Sequence, residues 1–225
     1  LQGAISEYNH SERTGSGNNH NINFFSDLYE VKTSLNHNSI IDTNSEGLIG
    51  FHFQNYDQGA LGQEESHLVH TRTSSFALFA LESFNFDLFD LDVGGRIESV
   101  NLKNTNLEKG FFPGAFSSTI KKEIFTNNTV FGGFDFTERA PNAVELFANG
   151  PHHALEQFEV GDSNMDVETS YNFSIGYSYN DGLDTLKVET YYNYIDDFIA
   201  ADRDGTSTEV EGEDMNNVNF SQYNA

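Results

Sequence analysis

The stretch that decides the fold is Tyr171-Asn172-Phe173-Ser174-Ile175-Gly176-Tyr177-Ser178-Tyr179-Asn180-Asp181-Gly182, with its continuation Leu186-Lys187-Val188-Glu189-Thr190-Tyr191-Tyr192-Asn193-Tyr194. Tyr171, Phe173, Ile175, Tyr177 and Tyr179 alternate with polar or small residues, a period of two that puts all five on one face of a strand. Leu186, Val188, Thr190, Tyr192 and Tyr194 repeat the pattern, and Asn180-Asp181-Gly182 between the runs is a tight-turn signal. Upstream, Phe89, Leu91, Val93, Gly95 and Ile97 alternate with Asp90, Asp92, Gly94, Arg96 and Glu98. A face carrying that many charges needs water or countercharge. Less regular strands are expected over 1–9, 22–35, 48–56, 73–83, 117–125, 129–136 and 218–223, about ten in all by period-two counting. Helical periodicity is confined to a possible turn at 142–148.

The connections alternate in length. Short ones fall at 36–46, 84–88, 126–128 and 181–184; long polar ones fall at 10–21, 57–72, 101–116, 137–168 and 200–217. A meander with every long loop at one end is the pattern of an antiparallel transmembrane β-barrel with short periplasmic turns and long extracellular loops. Tyr56, Tyr179, Tyr191, Tyr192 and Tyr194 then serve as interfacial aromatic girdles. A soluble acidic β-sandwich used for adhesion is the rival of another class. In water, however, the row from Tyr171 to Tyr179 would be an aggregation-prone patch.

Composition removes several functions. The 225 residues carry 11 Lys+Arg against 35 Asp+Glu, a net charge of −24, which repels nucleic acid. The 21 Phe and 10 Tyr are too many for an acidic disordered chain. With no cysteine there is no disulfide scaffold, thiolate metal site or thiol nucleophile. The longest uncharged apolar stretch, 76–81, is too short for a spanning helix. No basic-then-apolar leader is present. No nucleophile elbow, phosphate loop or zinc-protease helix motif occurs, so an enzyme is not expected.

Thr137-Glu138-Arg139-Ala140-Pro141, followed by Glu145-Leu146-Phe147, resembles the Arg-Ala-Pro box in the barrels of TonB-dependent outer-membrane receptors. Glu159 to Met165 and Glu168 to Asn172 resemble that family's next box. Glu138 replaces the usual Phe, and Asp162-Ser163 the usual Asn-Pro. Two further blocks resemble the zinc-uptake branch: Ala148-Asn149-Gly150-Pro151-His152-His153-Ala154 with Phe158 to Gly161, and Gly59-Ala60-Leu61-Gly62-Gln63-Glu64-Glu65 with Thr71-Arg72-Thr73 and 76–82. The resemblance covers nearly the whole chain. It implies that residues 1–225 are part of such a barrel domain, with the N-terminal plug and the closing C-terminal strands outside this sequence.

The resemblance implies an outer-membrane location among lipid, partnership with the TonB energy-coupling complex through the plug, and zinc as the transported ion. It puts His152 at a metal-binding position, His153 beside it as a second candidate, and one of Glu64 and Glu65 at a family ligand position. His67 and His70, three residues apart, are candidates for a capture cluster with those acids. Imidazole and carboxylate are what zinc takes when thiolates are absent. Haem uptake is the alternative, since haem iron accepts an axial His. His10, His20, His37 and His52 receive no ligand role. Glu209, Glu211, Glu213 and Asp214 are expected in an external loop, where they would concentrate cations at the mouth. Asp202-Arg203-Asp204-Gly205 is half of a calcium loop by spacing and is taken as a turn.

Overall fold

The computed structural model describes residues 1–13, 21–38, 44–62 and 66–224. The elements in chain order are β1 (Gln2–Arg13), β2 (Asn21–Asn38), β3 (Ser45–Gly62), β4 (Thr71–Asn85), β5 (Asp90–Lys103), β6 (Glu108–Phe111), β7 (Gly114–Phe125), β8 (Asn128–Arg139), α1 (Ala143–Phe147), β9 (Asn149–His152), a 3-10 turn (His153–Leu155), β10 (Gln157–Val160), β11 (Glu168–Asn180), β12 (Thr185–Asp196), β13 (Phe198–Val210) and β14 (Glu213–Tyr223). Ten strands form one antiparallel meander in the order β1-β2-β3-β4-β5-β7-β8-β11-β12, with β6 paired to β5. This is the barrel-type antiparallel sheet expected from the alternating connections.

Register puts the apolar sets of neighbouring strands on one face. Tyr194, Tyr171, Phe136 and Phe116 lie side by side across β12, β11, β8 and β7, and Tyr192, Phe173 and Phe134 form a second row. The rings touch: Phe134 and Phe173 have centroids 4.9 Å apart, Phe136 and Tyr171 5.4 Å. The opposite face is polar and carries ion pairs, some between neighbouring strands and one within β5. His52 Nε2 lies 2.9 Å from Glu30 Oε1, Arg96 binds Glu98 at 2.8 Å, and Lys121 binds Asp92 at 2.6 Å. A cavity of 560 Å³ on the polar face is lined by Gln2 of β1 and Asp135 of β8, six strands further along the sheet, so this face is concave.

The turn chemistry matches the sequence. Gly182 adopts φ +90°, and the Asp181 carboxylate accepts from the amides of Leu183 and Asp184. At β7–β8 the left-handed position is Asn127, φ +66°, a residue that tolerates this region.

The expected count of about ten strands fits the meander but not the whole chain. Residues 200–217, expected as a loop, belong to the β13–β14 hairpin, and 149–160 contains the β9–β10 hairpin. These four strands form a second sheet, β13-β14-β10-β9, in which β10 and β14 run parallel. His10 lies in β1 rather than a loop, and His37 lies in β2 rather than a turn. Glu209, Glu213 and Asp214 are exposed on β13 and β14, with Glu211 in the turn between them.

At the long-loop end, Leu102, Phe111, Ala143, Leu146, Phe147, Met165 and Ile199 form a buried apolar cluster. It joins β5, β6, α1 and β13, and each large side chain removed from water contributes roughly 1.5–3 kcal/mol. This cluster seats α1, and hence the β9–β10 hairpin that follows it, against the sheet.

Candidate metal centre

The sequence around α1 builds a rigid base. Asn142 is the N-cap, its side chain accepting from the amides of Val144 and Glu145, while Glu145 returns a bond from the Asn142 amide. This reciprocal capping box satisfies helix amides that would otherwise lack partners. Arg139, the last residue of β8, then grips both sides: its guanidinium binds Glu145 at 2.8 Å and Glu168, the first residue of β11, at 3.2 Å. Burial opposes ionisation of Glu168, but the Arg139 hydrogen bonds and the Ile199 amide outweigh it, so its pKa is lowered. The Arg-Ala-Pro segment therefore ties helix, strand pair and β13 together.

Beyond α1 the chain turns back at Ala148, whose carbonyl accepts from Gly161 at 2.7 Å, and runs into β9. In the β9–β10 pair His152 is opposite Gln157 and Gly150 opposite Glu159. His152 and Glu159 are thus diagonal neighbours on one face, and His152 Nδ1 lies 2.7 Å from Glu159 Oε1. Glu159 is 7% exposed, so its charge is shielded from water and committed to this contact.

The third donor comes from the β3–β4 loop. His67 lies against His152 with ring centroids 4.1 Å apart and planes at 16°. Its amide donates to the Pro151 carbonyl at 3.1 Å. Gly150 makes this approach possible, because a Cβ there would come within 2.6 Å of the Ser66 carbonyl oxygen and 3.0 Å of the His67 nitrogen. One donor atom each from His67, His152 and Glu159 lie within 4.8 Å of one another, the only such cluster among the described residues. Two imidazoles and a carboxylate with open space beside them suit zinc or a similar divalent ion.

The other sequence candidates fall elsewhere. His70 is turned away from His67: its Nε2 binds Asp57 at 2.7 Å, beside the Arg72–Asp57 ion pair, and its ring meets Phe25 edge-on. His153 follows His152 into the 3-10 turn and does not belong to the three-donor cluster, but it lines the adjoining cavity. Glu64, Glu65 and His20 lie outside the described residues. His52 is held by Glu30 on the polar face. Asp202 to Gly205, expected as a turn, lie instead within β13 at a register shift between Arg203 and Ser207, where Gly205 takes φ +81° and Asp204 accepts from Thr206 and Asn219.

Sequence reading missed Glu159 as a donor. Its signal was the period-two relation to His152 across a hairpin. That hairpin was hidden by the 3-10 turn and by Glu156, which adopts a left-handed φ of +53° without being glycine.

Two solved structures share the fold at low identity. The hemophore receptor HasR of Serratia marcescens, in complex with its hemophore HasA and heme, aligns with a TM-score of 0.64 at 12% identity, over 90% of this chain and 38% of its own. The siderophore receptor PirA of Pseudomonas aeruginosa aligns at 0.55 and 13% identity, over 99% of this chain and 51% of its own. The chain therefore spans about half or less of the receptors it matches. With the polar concave face, the segregated loops and the aromatic rows of the other face in place, the match of residues 3–225 to the TonB dependent receptor-like β-barrel family shows that this chain belongs to that family.

Proposed function

We propose that the chain is part of an outer-membrane receptor that imports zinc, and that His67, His152 and Glu159 hold the ion at the external mouth. The carrying observation is the convergence of those three donors within 4.8 Å. In this reading the aromatic face meets lipid, the polar face lines the lumen, and the long connections face outward. Exposed carboxylates at Glu209, Glu211, Glu213 and Asp214 raise the local cation concentration. The triad then takes the ion, and energy from the TonB complex, delivered through a plug, releases it inward.

The three donors, spread over up to 4.8 Å, draw in toward tetrahedral spacing on ligation, while the closest pair opens. Zinc bonds of about 2.0–2.2 Å set neighbouring tetrahedral ligands roughly 3.3 Å apart. The His152–Glu159 contact of 2.7 Å would open by about half an ångström as zinc replaces the proton between them. The fourth position stays available to water or to a donor from elsewhere in the receptor.

Haem, present in the HasR complex, is the competing cargo. The triad favours a bare ion over it. Axial imidazoles of one haem point at iron from opposite sides of a macrocycle, whereas His67 and His152 stack side by side. The adjoining cavity of 260 Å³ lies below the ~300–1,000 Å³ of sites for drug-sized ligands. The test is titration of the intact receptor in detergent with Zn²⁺ and separately with haem, repeated on His152→Ala. Tight zinc binding lost in the variant supports the proposal. A haem Soret shift without zinc binding overturns it.

A further inference from the structure

We propose that His10 and His153 form a second, weaker zinc station on the lumen side of the triad. This rests on the zinc reading above and deepens it. The two histidines line one cavity of 260 Å³ together with His67 and His152, so four imidazoles from three chain segments, β1, the β3–β4 loop and the adjacent pair His152-His153, face a single, partly open cavity. His10 enters from β1, a wall that the triad does not use.

Register sets the direction. His10 is paired with Phe24, and Tyr8 with Ser26, along the row that continues on β2 through Glu30 and Lys32, the polar face. His10 therefore stands inside the mouth rather than on the lipid side. Its ring stacks with Tyr8 at 6.4 Å and Phe24 at 6.5 Å, an aromatic frame that limits its rotamers. His153 supplies the second donor. Its Nε2 is buried and makes no hydrogen bond among the described residues. A buried imidazole nitrogen in that state calls for an explanation, because native proteins pair nearly all such atoms. Metal ligation gives it one.

Size and charge agree. At about 30 Å³ per water, the cavity holds on the order of eight water-sized volumes, enough for a partly hydrated ion beside the triad. Among the described residues no carboxylate lines it. Two imidazoles completed by water bind zinc less tightly than two imidazoles and a buried carboxylate. A pathway needs that order, since a station must be favourable enough to enter and weak enough to leave.

The experiment is calorimetric Zn²⁺ titration of the intact receptor, with Co²⁺ absorption as a second readout, on the wild type, His10→Gln/His153→Gln, His153→Gln alone and His152→Ala. The wild type is expected to take two ions, the second at least tenfold more weakly. The double variant and His153→Gln should lose the weak ion and keep the tight one, whose retention reports a folded site. A single ion in the wild type, or two in the double variant, overturns the second station and leaves the triad standing. Absence of any zinc binding, or a tight ion that survives His152→Ala, overturns the zinc reading and this station with it.

Discussion

His67 and His152 stack face to face at 4.1 Å, although one belongs to the β3–β4 loop and the other to β9. Neither loop alone makes a metal site. His67→Ala should therefore weaken zinc binding by about tenfold or more, in the range seen when a metal site loses a ligand or its close support. His70→Ala, three residues away but bonded to Asp57, should leave it unchanged. Parallel titrations of the two variants separate a specific cluster from general loop histidine content.

The same pairing depends on Gly150. A methyl group there meets the Ser66 backbone at 2.6 Å, closer than real Cβ contacts allow, so the β3–β4 loop must retreat. Gly150→Ala should lower zinc affinity without removing any donor, and Gly150→Val should lower it further. Affinity equal to wild type in both would show that His67 reaches the ion by another route.

Glu159 is buried and in contact with His152. Glu159→Gln keeps the shape and removes the charge that draws a cation. Zinc affinity should fall by at least about tenfold, while the thermal unfolding midpoint in detergent changes little. A variant that binds normally would reassign Glu159 from ligand to scaffold.

The Arg139–Glu168 clamp gives an acid-side prediction. The Glu168 pKa is lowered in the folded state, so its contribution is fully present above the unfolded carboxyl value and is lost as pH falls through the lowered one. Resistance of the 140–167 segment to proteolysis should drop at acid pH below the usual carboxylate range. Glu168→Gln should flatten that dependence while lowering protection at neutral pH. An unchanged acid profile in the variant would place the titration elsewhere.

Opposite faces of β11 should respond oppositely to charge. Ile175 is exposed on the apolar face and Asn172 sits on the polar face between Asp135 and Asn193. Ile175→Arg is expected to cost about 2–4 kcal/mol in lipid, as for a cation near the bilayer midplane, whereas Asn172→Arg should be nearly neutral. Equilibrium unfolding in lipid bilayers measures both.

Much of the sheet was legible because period-two alternation is a local property: Tyr171 to Tyr179 face one way whatever surrounds them, and turns such as Asn180-Asp181-Gly182 carry their own chemistry. The clustering of long connections at one end followed from counting strands. Outside the meander that logic failed. The strands β9, β10, β13 and β14 are short or polar, lack alternation against lipid, and form two hairpins joined into one sheet by a parallel β10–β14 contact between segments far apart in the chain.

By itself the sequence determined the antiparallel meander, the two chemically distinct faces and the histidine-bearing blocks, because side-chain alternation and turn residues act within a few positions. The tertiary structure alone decided which donors meet. It drew Glu159 and His67 to His152, brought His10 to the same cavity and turned His70 toward Asp57. A metal centre forms by convergence in space, and the register of a hairpin and the close approach permitted at Gly150 are long-range facts that local residue pattern does not encode.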